Sequence, residues 1–497
     1  MSEVESFRGH LREAELCATV PGSLRRGCVR PMTRLSTATL GTIEALGVPT
    51  PRYDRAALVP RILHLGVGGF HRAHLALYLH ELAEGGGDWG IRGLGRLEAD
   101  RRMEGVLESQ DCLYTLIERD SGGSRPRIVG SIVDYVLTVG DEDAFARRIA
   151  DPEVVILSMT ITEGGYSLEQ PNPTIEAIAS GLEARRVGGG NPLTILSCDN
   201  LPGNGRVARR AVTTVCEARS ADLARFVETS CTFPNSMVDR ITPQTTDDDR
   251  AWLRTEVGID DGWPVVAEPF RQWVIEDQFA DGRPRFEDVG VLFTDDVHDW
   301  ELYKLRMLNA THSCMAYLMA LEGVVYVDEA MAIPALRRFL ERFLSAEAIP
   351  TLTEIPGHPA ADYARTVLGR YENTAVRDQI ARLCIDGTSK FPTFLIPTVE
   401  RHVERGGPIE CAVLALAGWA RYLATVPAAE RAPDPRGERS EALAARSLQD
   451  PLAFLELTDV FTPRLRESAR FRESFANAAA GLAALGPLGA IERLAAG

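Results

Sequence analysis

Three polar residues that could carry out chemistry, Lys304, Asn309 and His312, lie within nine positions of one segment. At about 100° per residue on an α-helix, Asn309 lies roughly 140° and His312 roughly 80° around the axis from Lys304, so all three share one broad face. A lysine there can act as a base if burial lowers its pKa. Its two neighbours can hydrogen-bond a carbonyl or alkoxide oxygen. The alternative is an amphipathic helix with scattered polar residues, and this segment alone leaves both interpretations open.

The size and composition of the chain predict two large domains. Its 497 residues exceed what one hydrophobic core usually supports, and contents of 45% hydrophobic and 25% charged residues are typical of globular proteins. The net charge of −16 argues against nucleic acid or an anionic membrane as a partner. No uninterrupted apolar run of transmembrane length is evident in the sequence.

The nine cysteines are dispersed and include neither a Cys-x-x-Cys motif nor a Cys/His cluster. This pattern predicts a reducing, cytoplasmic location and no structural zinc. Residues 1–31 show neither a helical period nor the apolar core of a signal peptide. We expect them to be a disordered extension and hypothesise that the natural chain begins at Met32.

The elements around these residues change character along the chain. Up to about residue 291, strands alternate with helices, which predicts an α/β domain with a doubly wound sheet over 32–291. The strand patterns cover 61–65, 89–95, 128–139, 154–158 and 193–197, and a helix covers 70–83. From 292 to 497 a mainly α-helical domain is predicted. Its helices cover 301–321, 330–346, 360–368, 375–384, 397–404, 410–423, 440–447 and 471–485, with 426–439 as an exposed connection.

A glycine-rich turn follows the first predicted strand and precedes a helix, which is the context that a dinucleotide-binding fingerprint requires. Its first glycine permits a tight turn, and its second lets the backbone approach a pyrophosphate at the helix N-terminus. The third glycine position holds His71 instead. The cofactor-binding candidates in this turn are Gly66, Val67, Gly68, Gly69, Phe70, His71 and Arg72. A plain strand-to-helix turn is the alternative.

Charged residues after the second predicted strand bear on the type of cofactor. Glu98 and Asp100 are candidates to accept hydrogen bonds from an adenosine ribose, although they lie further on than the usual spacing. The neighbouring Arg96 and Arg101 could hold a 2′-phosphate instead. We therefore favour NAD and keep NADP open. His71 and His74 are i, i+3 on the predicted helix without an obvious third ligand, so we interpret them as surface or packing histidines rather than as a metal site.

Two common routes to carbonyl reduction are missing from the sequence. No tyrosine is followed by a lysine four residues on, as a short-chain dehydrogenase would need. The catalytic Cys/His set of a zinc-dependent dehydrogenase is not visible either. A metal-free site based on a lysine remains, and Lys304 is the natural candidate.

Five motifs follow one another along the chain: GVGGFHRAH at 66–74, TITEGGY at 160–166, SCDNLPGNG at 197–205, FPNSMVDRITP at 233–243 and KLRMLNATH at 304–312. Together they resemble the motifs of the polyol-specific long-chain dehydrogenases and reductases, the mannitol dehydrogenase family. The resemblance runs from about Met32 to near the C-terminus. It implies a Rossmann domain that binds NAD or NADP, followed by a helical substrate domain, and catalysis without a metal.

The same resemblance implies roles for individual residues. Lys304 matches the family's general acid/base, Asn309 and Asn200 match asparagines that hold the reacting oxygen, and His312 matches a histidine that orients substrate hydroxyls. Two further positions match residues that grip the substrate, Asp239 and Arg382. Physical reasoning agrees for Asn200, which follows the strand at 193–197, where open α/β sheets bind ligands. Local alternatives are a helix cap at Asn200, an Asp239–Arg240 ion pair and a surface charge at Arg382.

The predicted reaction moves a hydride between NAD and a sugar alcohol/ketose pair, D-mannitol and D-fructose being favoured. Alternatives within the family are a fructuronate (D-mannonate) reductase and an arabinitol or sorbitol dehydrogenase. An NAD-binding sensor without catalysis is a hypothesis of another class. Glu301, one turn before Lys304, could relay its proton to solvent or be a routine exposed glutamate. The sequence leaves the oligomeric state open.

Overall fold

The computed structural model of the protein describes residues 32–168, 172–434 and 436–496. The expected disordered extension at 1–31 lies outside the described residues. Strands are confined to the part of the described chain that ends at Thr294, and helices dominate after it. An α/β region followed by a mainly helical region is therefore confirmed.

Six strands form the parallel sheet that the sequence predicts, in the order β6-β3-β2-β7-β8-β9. In chain order the strands are β1 (Thr33–Arg34), β2 (Val59–Leu65), β3 (Trp89–Gly95), β4 (Tyr114–Asp120), β5 (Gly123–Val129), β6 (Ile132–Leu137), β7 (Ile156–Met159), β8 (Leu193–Ser197), β9 (Cys231–Thr232), β10 (Ser236–Asp239), β11 (Ile259–Asp260), β12 (Val265–Ala267), β13 (Gln272–Glu276) and β14 (Leu292–Thr294). The strands predicted at 89–95 and 193–197 have those bounds in the structure.

Both faces of this sheet are buried, as its continuous apolar strands require. Ile62 of β2 packs into a core cluster on one face, and Leu63 and Leu65 pack into a second cluster on the other, following the alternation of side chains along a strand. Helices cover the two faces, and others surround the sheet. The helices of this region are Leu40–Ala45, Gly69–Ala73, Leu75–Glu84, Arg101–Ser109, Glu142–Ala150, Pro173–Val187, Asn204–Arg219, Ala221–Ser230 and Asp247–Trp252, with a π-helix at Leu253–Val257.

Three smaller sheets among the described residues, β1-β11, β12-β4-β5 and β10-β13-β14, were not predicted. The run at 128–139 has the predicted strand character, but it contributes to two sheets. Its first part lies in β5, antiparallel to β4, and its second part lies in β6, parallel to β3. The chain turns between them at Gly130 and Ser131.

The helical region forms one large core cluster. Its helices are His298–Tyr303, Ala310–Leu321, Val327–Met331, Pro334–Arg342, Ala360–Tyr371, Ile380–Leu383, Gly387–Phe394, Ile396–Arg405, Glu410–Thr425, Gly437–Ser447, Pro463–Glu467 and Ala469–Ala496, with π-helices at Lys304–Asn309 and Phe343–Ala348. The helix predicted at 375–384 is confined to its last residues, because residues 372–379 form a loop that includes Arg377 with a φ of 51°.

The last helix differs from the expectation that no segment is long and apolar enough to span a membrane. By length and composition alone, Ala469–Leu494 could do so, although only 33% of its most apolar window is buried. The helix bends at Gly486, whose φ is 71°, next to Pro487. It packs against the helices Glu410–Thr425 and Pro334–Arg342.

Candidate active site

A cavity of about 1170 Å³ lies between the glycine-rich turn and the helix that carries Lys304. Gly66, Gly68 and Gly69 line it from the sheet side, and Lys304 lines it from the helical region. Asn200, Asp239, Asn309, His312 and Arg382 are further lining residues. The cavity therefore brings together the residues to which the sequence assigned catalysis and substrate binding.

Lys304 is buried, with 8% of its surface exposed. Its Nζ donates hydrogen bonds to Oδ1 of Asn200 at 2.5 Å and to the carbonyl oxygen of Val238 at 2.6 Å. Burial lowers the pKa of Lys304 because it disfavours the charged amine. These contacts fix the amine at the carboxyl ends of the strands β8 and β10, where it can exchange a proton with a ligand in the cavity.

The helix around Lys304 is not a regular α-helix, so the face angles expected from the sequence are wrong. Lys304–Asn309 is a π-helix, which continues as the α-helix Ala310–Leu321. Hydrogen bonds from i to i+5 widen the turn, so that Lys304 and Asn309, five residues apart, come close to alignment. Such local π segments are frequent at functional sites.

Asn309 and His312 have unused hydrogen-bonding capacity at the cavity. Asn309 Oδ1 and His312 Nε2 are buried and have no hydrogen-bond partner. Burial lowers the pKa of His312 to about 3, so its imidazole is neutral at physiological pH. The His312 ring packs on Tyr371 with centroids 4.5 Å apart. The His312 ring is thus held in place, and each of the two side chains keeps a polar atom available to a ligand with hydroxyl groups.

Asp199, which the sequence analysis did not select, holds two of the motifs together. Its carboxylate accepts hydrogen bonds from the backbone N–H groups of Ile161 and Thr162 and from the Tyr166 hydroxyl at 2.6 Å. Thr162 has a φ of 63°, in the left-handed region that non-glycine residues rarely adopt. Asp199 therefore supports a strained loop at the cavity wall. Its position next to Asn200 was the available signal.

Asp239 lines the cavity, but its carboxylate is already bound by protein side chains. Arg370 binds both of its oxygens, at 2.7 and 2.9 Å, and the Tyr363 hydroxyl donates to it at 3.2 Å. The alternative of a local Asp239–Arg240 ion pair is wrong, because Arg240 pairs with Glu118 at 2.6 Å.

Arg382 lies at the rim of the cavity, and its side chain is 56% exposed. It is not an isolated surface charge, because its guanidinium donates to both carboxylate oxygens of Asp378. The guanidinium can still offer N–H groups to a ligand at the rim, since an arginine has five of them.

The glycine turn has the geometry that a phosphate group needs. Gly66 has a φ of 94°, and a Cβ added there would collide with the carbonyl oxygen of Thr160. A Cβ on Gly68 would meet only the Gly66 carbonyl oxygen, at 3.9 Å, so that a ligand can approach the Gly68 backbone. The helix Gly69–Ala73 begins directly after it. These residues fit a bound dinucleotide pyrophosphate.

The other candidates in the turn support it from behind. Arg72 is 1% exposed and donates to the carbonyl oxygens of Gly68 and Trp263. Val67 packs in a core cluster, whereas Phe70 lines the cavity.

His71 and His74 are packing histidines and not surface ones. The His71 ring stacks on the His64 ring with centroids 3.5 Å apart, and the His74 ring stacks on the Phe70 ring with centroids 4.9 Å apart. Within 32–168, 172–434 and 436–496, no group of three or more potential metal ligands is found.

Glu98 and Asp100 follow strand β3, as the sequence placed them. Asp100 accepts hydrogen bonds from the backbone N–H groups of Arg96 and Leu97. Glu98 forms an exposed ion pair with Arg101 at 2.8 Å, and Arg96 pairs with Glu142 at 2.7 Å. Exposed pairs of this kind contribute little free energy, so Glu98 remains accessible to a ribose hydroxyl.

Glu301 is not the routine exposed glutamate of one interpretation, because it is only 7% exposed. Its Oε1 accepts a hydrogen bond from the backbone N–H of Gly203 at 2.7 Å, and burial raises its pKa. It lines a small cavity of about 20 Å³ together with Lys304 and Asn200. A proton relay through Glu301 stays a prediction.

Lysine itself is almost absent from this chain. Of the 54 basic residues, two are lysines, Lys304 and Lys390. Lys390 is half-buried near Arg382 and donates to the Leu383 carbonyl oxygen at 3.1 Å. Of these two residue types, only lysine can lose its proton when burial lowers its pKa, since arginine stays charged. This scarcity is a sequence signal for Lys304 that is independent of the motifs.

A glycine turn that fits a dinucleotide, facing a buried lysine amine across a cleft, is the arrangement expected of a dehydrogenase with separate cofactor and substrate regions. Two family models match the chain, the mannitol dehydrogenase Rossmann domain at residues 60–288 and the mannitol dehydrogenase C-terminal domain at residues 296–483. The chain therefore belongs to the mannitol dehydrogenase family of polyol dehydrogenases, as its motifs predicted.

Individual relatives agree with this assignment. Mannitol 2-dehydrogenase of Phaeosphaeria nodorum is 38% identical over 477 residues, which cover 90% of this chain and 84% of that protein. The structure of Pseudomonas fluorescens mannitol 2-dehydrogenase in a ternary complex with NAD and D-mannitol is similar with a TM-score of 0.82 and 37% identity, covering 93% of this chain and 99% of that one. A substrate-free D-sorbitol dehydrogenase has a TM-score of 0.85 at 35% identity, covering 92% and 100%.

Proposed function

We propose that the protein interconverts D-mannitol and D-fructose with NAD, and that Lys304 is the general acid/base. The observation that carries the proposal is the buried Lys304 amine, held by Asn200 and the Val238 carbonyl at a cavity that also reaches the glycine turn. In the oxidation direction Lys304 accepts the hydroxyl proton, and Asn200 and Asn309 hold the reacting oxygen. His312 orients a neighbouring hydroxyl. Bound nicotinamide would supply the hydride acceptor.

The charges around the cavity support a neutral substrate over an aldonate such as D-mannonate. An aldonate carboxylate is bound most strongly by an arginine that can offer it two parallel N–H groups. In the described part of the chain, each arginine that lines the cavity is paired with a carboxylate. The pairs are Arg119–Asp249, Arg240–Glu118, Arg377–Asp328 and Arg382–Asp378. A polyol needs only hydrogen-bonding groups, which Asn309 and His312 offer.

The pairing of arginines also supports NAD over NADP. A 2′-phosphate would require an available arginine after strand β3, but Arg96, whose side chain is 11% exposed, binds Glu142 at 2.7 Å and the carbonyl oxygen of Pro173 at 2.8 Å. The exposed pair of Arg101 with Glu98 favours neither cofactor. The solved relative from Pseudomonas fluorescens holds NAD. We also propose a cytoplasmic location, which the seven free cysteines among the described residues support.

A substrate panel tests this function. We expect NADH absorbance to rise with mannitol, more slowly with sorbitol and arabinitol, and least with mannonate, because a carboxylate meets no unpaired arginine. NADP should be a poorer oxidant than NAD. If mannonate is oxidised fastest, the protein is a fructuronate (D-mannonate) reductase and not a mannitol dehydrogenase. NAD binding without turnover of any polyol or aldonate would instead favour the sensor.

A further inference from the structure

Arg370 joins the helical region to the sheet region through buried charges that the proposed mechanism does not use. It lies on the helix Ala360–Tyr371, and its guanidinium binds Asp239 through two hydrogen bonds and Glu268 through two more, at 2.7 and 3.0 Å. The three side chains are between 2% and 5% exposed. The guanidinium also lies over the Phe270 ring, 4.1 Å from its centroid. Every charge in this cluster is paired, as buried charges must be.

This cluster adjoins, in the chain, the backbone carbonyl group that binds the Lys304 amine. Val238, whose carbonyl oxygen accepts a hydrogen bond from Lys304, directly precedes Asp239 at the end of strand β10. On the other side, Glu268 accepts a hydrogen bond from the backbone N–H of Ile241 at 2.6 Å. Arg370 therefore grips the chain segment that presents the Val238 carbonyl to the amine.

We propose that Arg370 is a positioning residue for the Lys304 base, which fixes the Val238 carbonyl through Asp239 and balances the negative charge of Asp239 beside the amine. The inference rests on the proposed function of Lys304 and extends it to a residue outside the cavity. Since Arg370 comes from the helical region and Asp239 from the sheet region, the state of the base depends on the contact between the two.

The electrostatics agree with this geometry. Burial opposes ionisation of Asp239, but the charge and hydrogen bonds of Arg370 outweigh it and hold the Asp239 pKa below its ordinary value. For Lys304, burial lowers the pKa, Asp239 opposes that shift, and Arg370 reinforces it. Without Arg370, the unbalanced carboxylate would stabilise the charged amine.

Several ionisable groups surround the amine and its cavity, and the variants below change only Asp239 and Arg370 among them. They are Glu301 and His312 on the helices continuous with the Lys304 segment, Asp199 in the loop after β8, Asp239 on β10, and Tyr363 and Arg370 on the helix Ala360–Tyr371. Glu268 lies behind Asp239 and Arg370, and Lys390 acts on His312. Of these, Asp239, Arg370 and Glu301 act most directly on the charge of Lys304.

The test compares the pH dependence of mannitol oxidation in wild type, Arg370→Gln and Arg370→Lys. Oxidation needs a neutral Lys304, so its rate rises with pH up to a plateau. In Arg370→Gln we expect this rise to occur about one pH unit higher, with a rate about tenfold lower on its acidic side. Arg370→Lys keeps the charge and should stay close to wild type in pH dependence, even if its Tm falls.

Arg185 offers a matched control for the loss of a buried arginine. It is 2% exposed and donates to backbone carbonyl oxygens such as those of Ile149 and Val154, within the sheet region. Arg185→Lys should lower Tm without moving the pH dependence. An unmoved pH dependence in Arg370→Gln, or the same shift in Arg370→Lys and Arg185→Lys, would overturn the proposal.

Should Arg370→Gln fail to fold, the same effect is measurable with one unpaired carboxylate fewer, because Asp239 is neutralised and only Glu268 loses its partner. Asp239→Asn alone is compared with the double variant Asp239→Asn/Arg370→Gln. Loss of the Arg370 charge should again move the rise to higher pH, although less than with Asp239 present. Coincident profiles would contradict a role of Arg370 in the charge balance.

A second measurement separates this proposal from the proposed function. Acetic anhydride acetylates neutral amines, so the rate of Lys304 acetylation against pH gives its pKa without turnover. Lys390 is the internal reference in the same mass spectrum, since the chain has two lysines. If no polyol is oxidised, the proposed function fails, whereas the acetylation pKa still has to rise in Arg370→Gln. An unchanged acetylation pKa of Lys304 in Arg370→Gln would contradict the inference about Arg370 and would leave the proposed function untouched.

Discussion

Lys304 must be neutral before it can take a proton from a substrate hydroxyl. A solvated lysine, with a pKa of about 10.4, would be almost wholly charged at neutral pH. Burial at the cavity wall lowers the Lys304 pKa and so increases the neutral fraction. Oxidation should consequently accelerate as pH rises through this lowered pKa, whereas reduction, which needs the charged form, should slow.

Replacing this amine gives the most direct test at the residue scale. Lys304→Ala should lower kcat for mannitol oxidation by more than about 100-fold, because general acid/base catalysis is typically worth roughly 10²–10⁴-fold. NAD affinity, measured by fluorescence titration, should change little, since the glycine turn lies across the cavity. Arg306→Met on the same π-helix is the control, and Arg306 contacts Thr398 instead of the cavity. Activity above a hundredth of wild type in Lys304→Ala would exclude the role.

Which residues meet in the site was only partly predictable. Lys304, Asn309 and His312 are close in sequence, and Asn200 follows a recognisable strand, so pattern and motif sufficed to select them. Arg370 binds Asp239 across 131 positions of the chain, and no local pattern encodes such a pair. The burial of Glu301 likewise depends on Gly203 in another element.

At the scale of elements, two glycines of one motif serve different purposes, since Gly66 allows the backbone conformation and Gly68 allows a ligand to approach. Gly66 is needed for the backbone conformation, because its φ is 94° and a Cβ would strike the Thr160 carbonyl. Gly68 has an extended backbone that any residue can adopt, with φ −106° and ψ −170°. Its lack of a side chain thus serves the approach of a ligand and not the fold.

Two alanine substitutions test this separation. Gly66→Ala should destabilise the protein by about 2 kcal/mol or more, from left-handed strain and the clash with Thr160. Gly68→Ala should leave the free energy of unfolding within about 0.5 kcal/mol of wild type while weakening NAD binding at least about tenfold. Urea unfolding and NADH fluorescence titration measure the two effects. Unchanged NAD affinity in Gly68→Ala would contradict binding at this turn.

Strands that pair within one sheet along their whole length were predicted well, whereas segments that change sheet or helix type were not. Strand β3 matches its predicted bounds because its whole length pairs within one parallel sheet. The run at 128–139 has continuous strand character, yet its two parts pair in different sheets. The π-helix Lys304–Asn309 has the residue pattern of an α-helix, and tertiary packing decides its wider turn.

At the scale of the whole molecule, the site exists only where two regions meet. The glycine turn and Asn200 belong to the sheet region, whereas Lys304, Asn309 and His312 belong to the helical region. Arg370 adds a buried electrostatic contact between them. Fold class and order of regions followed from the change of pattern near residue 292, but this contact required the three-dimensional structure.

The scarcity of lysine has a consequence for proteolysis. A protease that cleaves only after lysine has two target bonds in this chain, after Lys304 and Lys390, and both lie within packed helices. The folded protein should resist such an enzyme, and its unfolded state should yield three fragments. Trypsin should nick the native surface, where an arginine such as Arg285 is exposed outside the α-helices. Gel analysis of brief digests along a urea series would then report global unfolding, and rapid native cleavage would show local opening of the helices that hold the site.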